Sequence, residues 1–219
     1  MNKYNNFNRL RRIAIALLAV LFTFSINASA QTARDIMDRA ASKLEKAGGM
    51  QVSFETTMFS GTKEQSTTRG TIQISGQKFR VASQGADVWF DGKTQWTLLA
   101  GSDEVNVTAP TKEQVQKMNP YYFVNLYKSG YTLQNSRSSY QGKGVHKVDL
   151  TATSRGAEIQ RMTILLSDDY TPLNVRLKDK KGNWMRFRIS SLKTRQSFSA
   201  ATFQYKESDH PGVEVIDLR

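Results

Sequence analysis

From Met50 almost to the end of the chain, apolar and polar residues alternate with a period of two, in short runs separated by turn residues. Val52, Phe54, Thr56 and Met58 alternate with Ser53, Glu55 and Thr57, and Ile72 and Ile74 alternate with Thr71 and Gln73. The same pattern covers Phe79 and Val81, Val105 and Val107, Val148 and Leu150, Met162 to Leu166, Leu173 to Leu177 and Met185 to Ile189, with Val213 and Val215 closing the series. A period of two sends successive side chains to opposite faces of an extended strand, so each run predicts a strand with one apolar and one wet face. Gly142-Lys143-Gly144, Arg155-Gly156, Asp168-Asp169 with Pro172, and Lys181-Gly182-Asn183 separate the later runs as turns. About ten or eleven short strands with hairpin-length links predict one large antiparallel sheet, curved around its apolar face. The outward positions Arg161, Thr163, Arg176, Lys178, Arg186 and Arg188 are charged or hydroxylic.

One hairpin resembles a nucleotide site at first sight. Val88 to Leu98 contains Asp91-Gly92-Lys93-Thr94, whose Gly-Lys-Thr ends like a phosphate loop. That loop needs a glycine five residues before this triplet, where Asp87 stands, and a helix after it. Thr94 to Leu98 has no helical period. Asp-Gly between apolar runs predicts a two-residue hairpin turn instead, with Phe90 opposite Lys93 and Trp89 opposite Thr94. Trp89, Thr94, Trp96 and Leu98 then share one large aromatic face.

Helices are predicted at two places. Thr32 caps a helix running to Ala47, with Asp35 three residues on, Ile36, Ala40 and Leu44 on one face, and Gly48-Gly49 as its stop. In mid-chain, Thr111-Lys112-Glu113-Gln114 is a second capping box, and Asn119-Pro120 restarts a helix. Tyr121 to Tyr127 follows with Asn125 as its only polar side chain short of the tyrosine hydroxyls, and Ser129-Gly130 ends it. A helix without a polar stripe is covered on most sides or covers something apolar. Part of its surface, from Tyr121, Tyr122, Phe123 and Leu126, is therefore expected to line an apolar cavity. Candidate walls are Phe54, Ile74, Phe79, Trp89, Trp96, Met162, Ile164 and Phe187.

Lys3, Arg9, Arg11 and Arg12, the apolar run Ile13 to Ile26 and the small residues Ala28-Ser29-Ala30 make residues 1–30 a secretory signal peptide, cleaved before Gln31. The remainder, residues 31–219, fits one domain. Net charge is +12 for the whole chain and +8 without the four cations of the leader. A secreted chain of that charge is drawn to anionic surfaces such as lipid headgroups, not to intracellular nucleic acid. No cysteine is present, so there is no disulfide, no thiol chemistry and no lipidated cysteine, which predicts a soluble periplasmic protein. The two histidines, His146 and His210, lack metal-ligand spacing, and no Gly-x-Ser-x-Gly elbow occurs. Neither a catalytic set, nor a metal site, nor a cofactor is expected.

The order of these features resembles the periplasmic lipoprotein carrier proteins, the LolA-like family. The resemblance rests on Met50-Gln51-Val52-Ser53-Phe54, Gly70 to Ile74, Lys78-Phe79-Arg80, the run Asp91 to Trp96, Glu104 to Val107, Asn119-Pro120, Phe203, and Pro211 to Asp217. It implies an incomplete β-barrel closed by helices, with lid helices at about 111–129 over a cavity for lipoprotein acyl chains. It also implies a monomeric carrier that takes acylated lipoproteins from an inner-membrane exporter to an outer-membrane acceptor, touching anionic membrane in passing. Family members latch the lid with an arginine that precedes a proline after the second strand. Ser75-Gly76 stand there in this chain, and Arg80 is the nearest candidate. Related folds bind other envelope lipids or glycolipids or sense envelope stress, so a lipid binder or sensor is the second reading, and an envelope enzyme using the same cavity the third.

Overall fold

The computed structural model describes residues 31–111, 114–115 and 125–219. The leader assigned from sequence and the aromatic triplet Tyr121, Tyr122 and Phe123 lie outside the described residues.

Each period-two run is a strand. In chain order these are β1 (Met50–Ser60), β2 (Lys63–Ser75), β3 (Lys78–Ser83), β4 (Ala86–Phe90), β5 (Gln95–Leu99) and β6 (Glu104–Thr108), followed by β7 (Tyr131–Tyr140), β8 (Lys143–Ala152), β9 (Ile159–Leu166), β10 (Pro172–Asp179), β11 (Trp184–Lys193) and β12 (Glu214–Asp217). They form one twelve-stranded sheet in the order β12-β6-β5-β4-β3-β2-β1-β11-β10-β9-β8-β7. Every pairing is antiparallel except that of β12, which adds to β6 in parallel. The edges β12 and β7 do not pair, so the sheet stays open. The expectation of about ten or eleven strands falls one or two short, because the stretch Tyr131–Tyr140, which shows no clear alternation, also pairs as β7.

The topology separates the two ends of the mid-chain segment. Strands β1 to β6 run consecutively to one side of β1, while β7 starts at the opposite edge and β8 to β11 return to pair with β1. The end of β6 at Thr108 and the start of β7 at Tyr131 therefore lie on opposite sides of β1. Val115 packs on the apolar face near β2 to β4, and Leu126 and Tyr127 pack on the same face near β8 to β10. Thr111 and Gln114 close their predicted capping box reciprocally: Gln114 Nα–H donates to Thr111 Oγ1 at 3.3 Å, and Thr111 Nα–H to Gln114 Oε1 at 2.7 Å.

The helix α1 (Ala33–Glu45) starts at the predicted cap, with Thr32 and Asp35 bonded reciprocally at 3.1 Å. Ile36, Met37, Ala40 and Leu44 are buried against Val148, Leu150, Met162, Ile164, Leu166, Val175 and Leu177. Two polar ties hold α1 in place. Lys43 Nζ donates to Asp169 Oδ2 at 2.6 Å and to Thr171 Oγ1 at 2.7 Å in the β9–β10 turn. The Tyr127 hydroxyl donates to Asp38. Burial, then that bond and the charge of Asp38, push the Tyr127 hydroxyl well above the usual tyrosine range.

The β4–β5 hairpin departs from expectation. Trp89 pairs with Trp96 and Phe90 with Gln95, so the connection is Asp91 to Thr94 rather than two residues. Asp91 Oδ1 accepts the N–H groups of Lys93 and Thr94 at 2.9 and 2.8 Å, and Gly92 adopts φ +102°. An aspartate that satisfies two turn amides favours this longer loop over a bare two-residue turn. The slip is two residues, so Trp89, Trp96 and Leu98 still share one face.

Candidate functional site

Strand register assigns the two faces of the sheet. Phe79 pairs with Ile74 and Phe90, Ile72 with Val52 and Val81, and Val81 with Val88, so these side chains share one face, called inner here because it also carries α1. The inner face bears two apolar clusters. One is the α1 core described above. The other contains Val52, Phe54, Ile72, Ile74, Phe79 and Phe90, bordered by Val81, Val88, Val115 and Ile189. Phe187 and Leu192 touch both. Aromatic pairs organise the second cluster: the Phe54 and Phe187 rings stack at 5.1 Å, and Phe79 meets Phe90 at 5.2 Å with a 34° tilt.

The predicted wall residues divide accordingly. Phe54, Ile74, Phe79 and Phe187 come together in the second cluster. Met162 and Ile164 are core residues under α1, 1 % and 0 % exposed, with Leu126 packed beside them. Trp89 and Trp96 are on the other face. Trp89 is the partner of Arg80, not of Phe79, and its ring meets Tyr205 and His210 edge-on at 5.4 and 5.5 Å. The sequence pattern misled here because Val88, Trp89 and Phe90 are all apolar, so β4 has no wet side to show which face is inner. That outer side is covered by the C-terminal stretch, whose Phe203 is 1 % exposed and whose short 3-10 turn Ala200–Phe203 lies by β3 and β4. Sequence reasoning also missed Val52, Ile72 and Phe90 as members of the cluster, although Val52 and Ile72 lie in alternating runs.

Arg80 cannot latch anything over the inner face. Its guanidinium lies over the Trp89 ring at 5.4 Å on the outer side. Beside the second cluster, a cleft of about 460 Å³ is lined by Gln95, Thr108, Ala109, Pro110, Gln114, Leu218 and Arg219, at the root of the mid-chain segment. Gln95 is the cross-strand partner of Phe90, so the cleft adjoins the cluster, and its buried Oε1 has no partner among the described residues. Among the described residues no three His, Asp or Glu side chains converge as metal ligands would, and no helix is long and apolar enough to cross a membrane.

An open, antiparallel-rich sheet of twelve strands with a helix on its apolar face defines the LolA-like class of fold. The chain belongs to the family described as outer membrane lipoprotein carrier protein LolA, whose model matches residues 21–181. Among solved structures, the lipoprotein LppX of Mycobacterium tuberculosis is similar with a TM-score of 0.50 at 11 % identity, over 75 % of this chain and 96 % of that one. A LolA superfamily protein from Nitrosomonas europaea matches with a TM-score of 0.40 at 11 % identity, over 80 % of this chain and 99 % of that one. The MucA/MucB complex of Pseudomonas aeruginosa matches with a TM-score of 0.45 at 17 % identity, over 80 % of this chain and 61 % of the matched chain. At these identities the likeness concerns the fold. No curated protein matches.

Proposed function

We propose that the protein is a periplasmic carrier that shields the acyl chains of lipoproteins on its inner sheet face and moves them from the inner to the outer membrane. The observation that carries this reading is the second apolar cluster, whose aromatic walls lie beside Val115 of the mid-chain segment rather than under α1. Membership of the lipoprotein-carrier family supports it. The segment 109–130 serves as the lid, and the cleft beside Gln95 gives the acyl chain a way in at the root of that lid.

The energetics suit transfer without a nucleotide. Burying a methylene from water is worth about 0.8 kcal/mol, so a long acyl chain bound from water would be held by roughly 10 kcal/mol. The chain comes from a bilayer, where it is already buried. Exchange between two apolar environments is nearly neutral, and modest lid contacts then set its direction. The partners in this reading are an exporter in the inner membrane and an acceptor at the outer one.

Mass spectrometry of what co-purifies with the protein from its own periplasm tests the proposal. Triacylated protein is the expected ligand. Free lipid or glycolipid in its place would make the protein a lipid binder or sensor and overturn the carrier reading.

A further inference from the structure

The outer face of the sheet is divided between two environments. Over β3 and β4 it lies under the C-terminal stretch with Phe203 and Tyr205. Across β2, β1, β11, β10 and β9 it presents cations to solvent. Register arranges them in rows. Arg69, Glu55 and Arg188 are successive cross-strand partners; Thr57, Arg186 and Arg176 form the next row; Phe59, Trp184, Lys178 and Arg161 form the third.

The charges in this strip do not cancel. Six cations, Arg69, Arg161, Arg176, Lys178, Arg186 and Arg188, share it with Glu55 and Glu64. Glu55 is buried and already held by Arg69 at 2.8 Å and Arg188 at 3.1 Å. Its burial works against ionisation, but the Arg69 hydrogen bond and the charges of Arg188, Arg69 and Arg186 outweigh that and hold the carboxyl below the usual range. Glu64 pairs with Arg186 at 3.3 Å. Arg161, Arg176 and Lys178 make no ion pair among the described residues.

Arg176 also stands directly opposite Arg186, an arrangement that costs stability in a sheet. Both guanidinium groups lie over aromatic rings: Arg176 over Trp184 at 4.4 Å and Arg186 over Phe59 at 5.4 Å. Arg186 donates to Thr57 Oγ1 at 3.1 Å and to Glu64, whereas Arg176 makes no ion pair among the described residues and keeps N–H groups for an acceptor outside the molecule, which phosphate geometry matches. The strip spans five adjacent strands, roughly 19 Å at the usual strand spacing. Such a width suits a field of phosphates better than one small anion. Tryptophan and phenylalanine among cations are also the composition of side chains that settle at a bilayer interface.

We propose that this strip docks the protein onto a bilayer rich in anionic phospholipid headgroups, with the outer face of β9, β10, β11, β1 and β2 against the membrane. The proposal rests on the outer face alone and stands whether or not the inner face binds acyl chains.

The test is flotation of the chain beginning at Gln31 with vesicles, since Thr32–Arg219 forms a compact unit by itself. Vesicles of phosphatidylcholine are compared with vesicles of phosphatidylcholine and phosphatidylglycerol, at low and at physiological salt. The parent protein binds the anionic vesicles, less so at higher salt, and does not bind the neutral ones. Arg161→Gln, Arg176→Gln and Lys178→Gln together weaken binding by about tenfold or more, whereas Lys46→Gln, Lys128→Gln and Lys206→Gln together change it by about twofold at most. The melting temperature of the first triple variant stays at or above that of the parent, because a like-charge pair is relieved. Should it fall, the single Arg176→Gln variant makes the same comparison with a smaller expected loss. Equal binding to neutral vesicles, equal losses in the two triple variants, or binding to polyglutamate without binding to vesicles would each overturn the proposal, the last in favour of an acidic polypeptide partner.

Discussion

The ring of Phe54 occupies the place that a side chain at its cross-strand partner Gly70 would need. A Cβ on Gly70 would stand 2.9 Å from Phe54 Cζ and 2.4 Å from the Ala82 carbonyl oxygen. The glycine therefore lets an aromatic wall of the second cluster lie flat over β2. Gly70→Ala is expected to destabilise the protein by about 1–3 kcal/mol, the range for forcing extra volume into packed structure. Urea unfolding measures this, and an unchanged midpoint would mean that the ring moves aside freely.

Gly92 presents the second backbone requirement. Its φ of +102° in the Asp91–Thr94 turn is closed to a β-branched side chain. Gly92→Val should cost about 1 kcal/mol or more, and neither the variant nor the parent should bind ATP. Saturable ATP binding by the parent would revive the phosphate-loop reading of Gly92-Lys93-Thr94.

Lys43 and Asp169 give α1 a pH-dependent tie. The hydrogen bond from Lys43, followed by the one from Ser167, holds the Asp169 carboxyl far below the usual carboxylate range. A carboxyl lowered in the folded state contributes stability that is complete above its unfolded pKa and is lost as pH falls through the folded one. The protein should therefore lose stability on acidification from neutrality to below the ordinary range of aspartate. Asp169→Asn should flatten that dependence. The carboxylate is 70 % exposed, so solvent screens the pair and the difference at neutral pH should be about 1 kcal/mol or less. Chemical unfolding of both proteins across acidic pH checks it.

All three tryptophans of the chain are on the outer face: Trp89 and Trp96 as a cross-strand pair, and Trp184 beside Arg176. Acyl chains carrying bromine, bound at the inner face, should leave tryptophan fluorescence nearly unquenched. Strong quenching at saturating ligand would place the acyl chain on the wrong side of the sheet for this account.

The strands were legible because one face of most of them is polar. Met162-Ile164-Leu166 and Phe187-Ile189 announce both their extended state and their inward side through the arginines and threonines between them. The helix cap at Thr32 was equally plain, since its two hydrogen bonds are local in sequence. What could not be read was the covering of the outer face. Trp89 has the composition of a cavity wall, and only the return of Phe203 and Tyr205 from over a hundred residues away makes it an outer core residue. For the same reason Met162 and Ile164 could not be told from Phe54 and Ile74. All four alternate inward, and the division between them is set by where α1 lands. The run closing at Val215 showed a last strand, but its parallel pairing with β6 could not be read, because four residues paired to a distant strand carry no signal of their partner.

The central claim, that the second cluster holds acyl chains, is tested most directly by titrating the chain beginning at Gln31 with a fluorescent fatty acid, alongside its Ile74→Trp variant. In a site with room for a ligand the larger side chain is tolerated, so the variant melts in urea within about 1 kcal/mol of the parent while its probe binding is lost. The parent should bind the probe saturably and release it to a competing diacyl lipid. No saturable binding by a folded parent, together with severe destabilisation by Ile74→Trp, would show that Ile74, Phe79 and Phe90 are an ordinary packed core and would contradict the account.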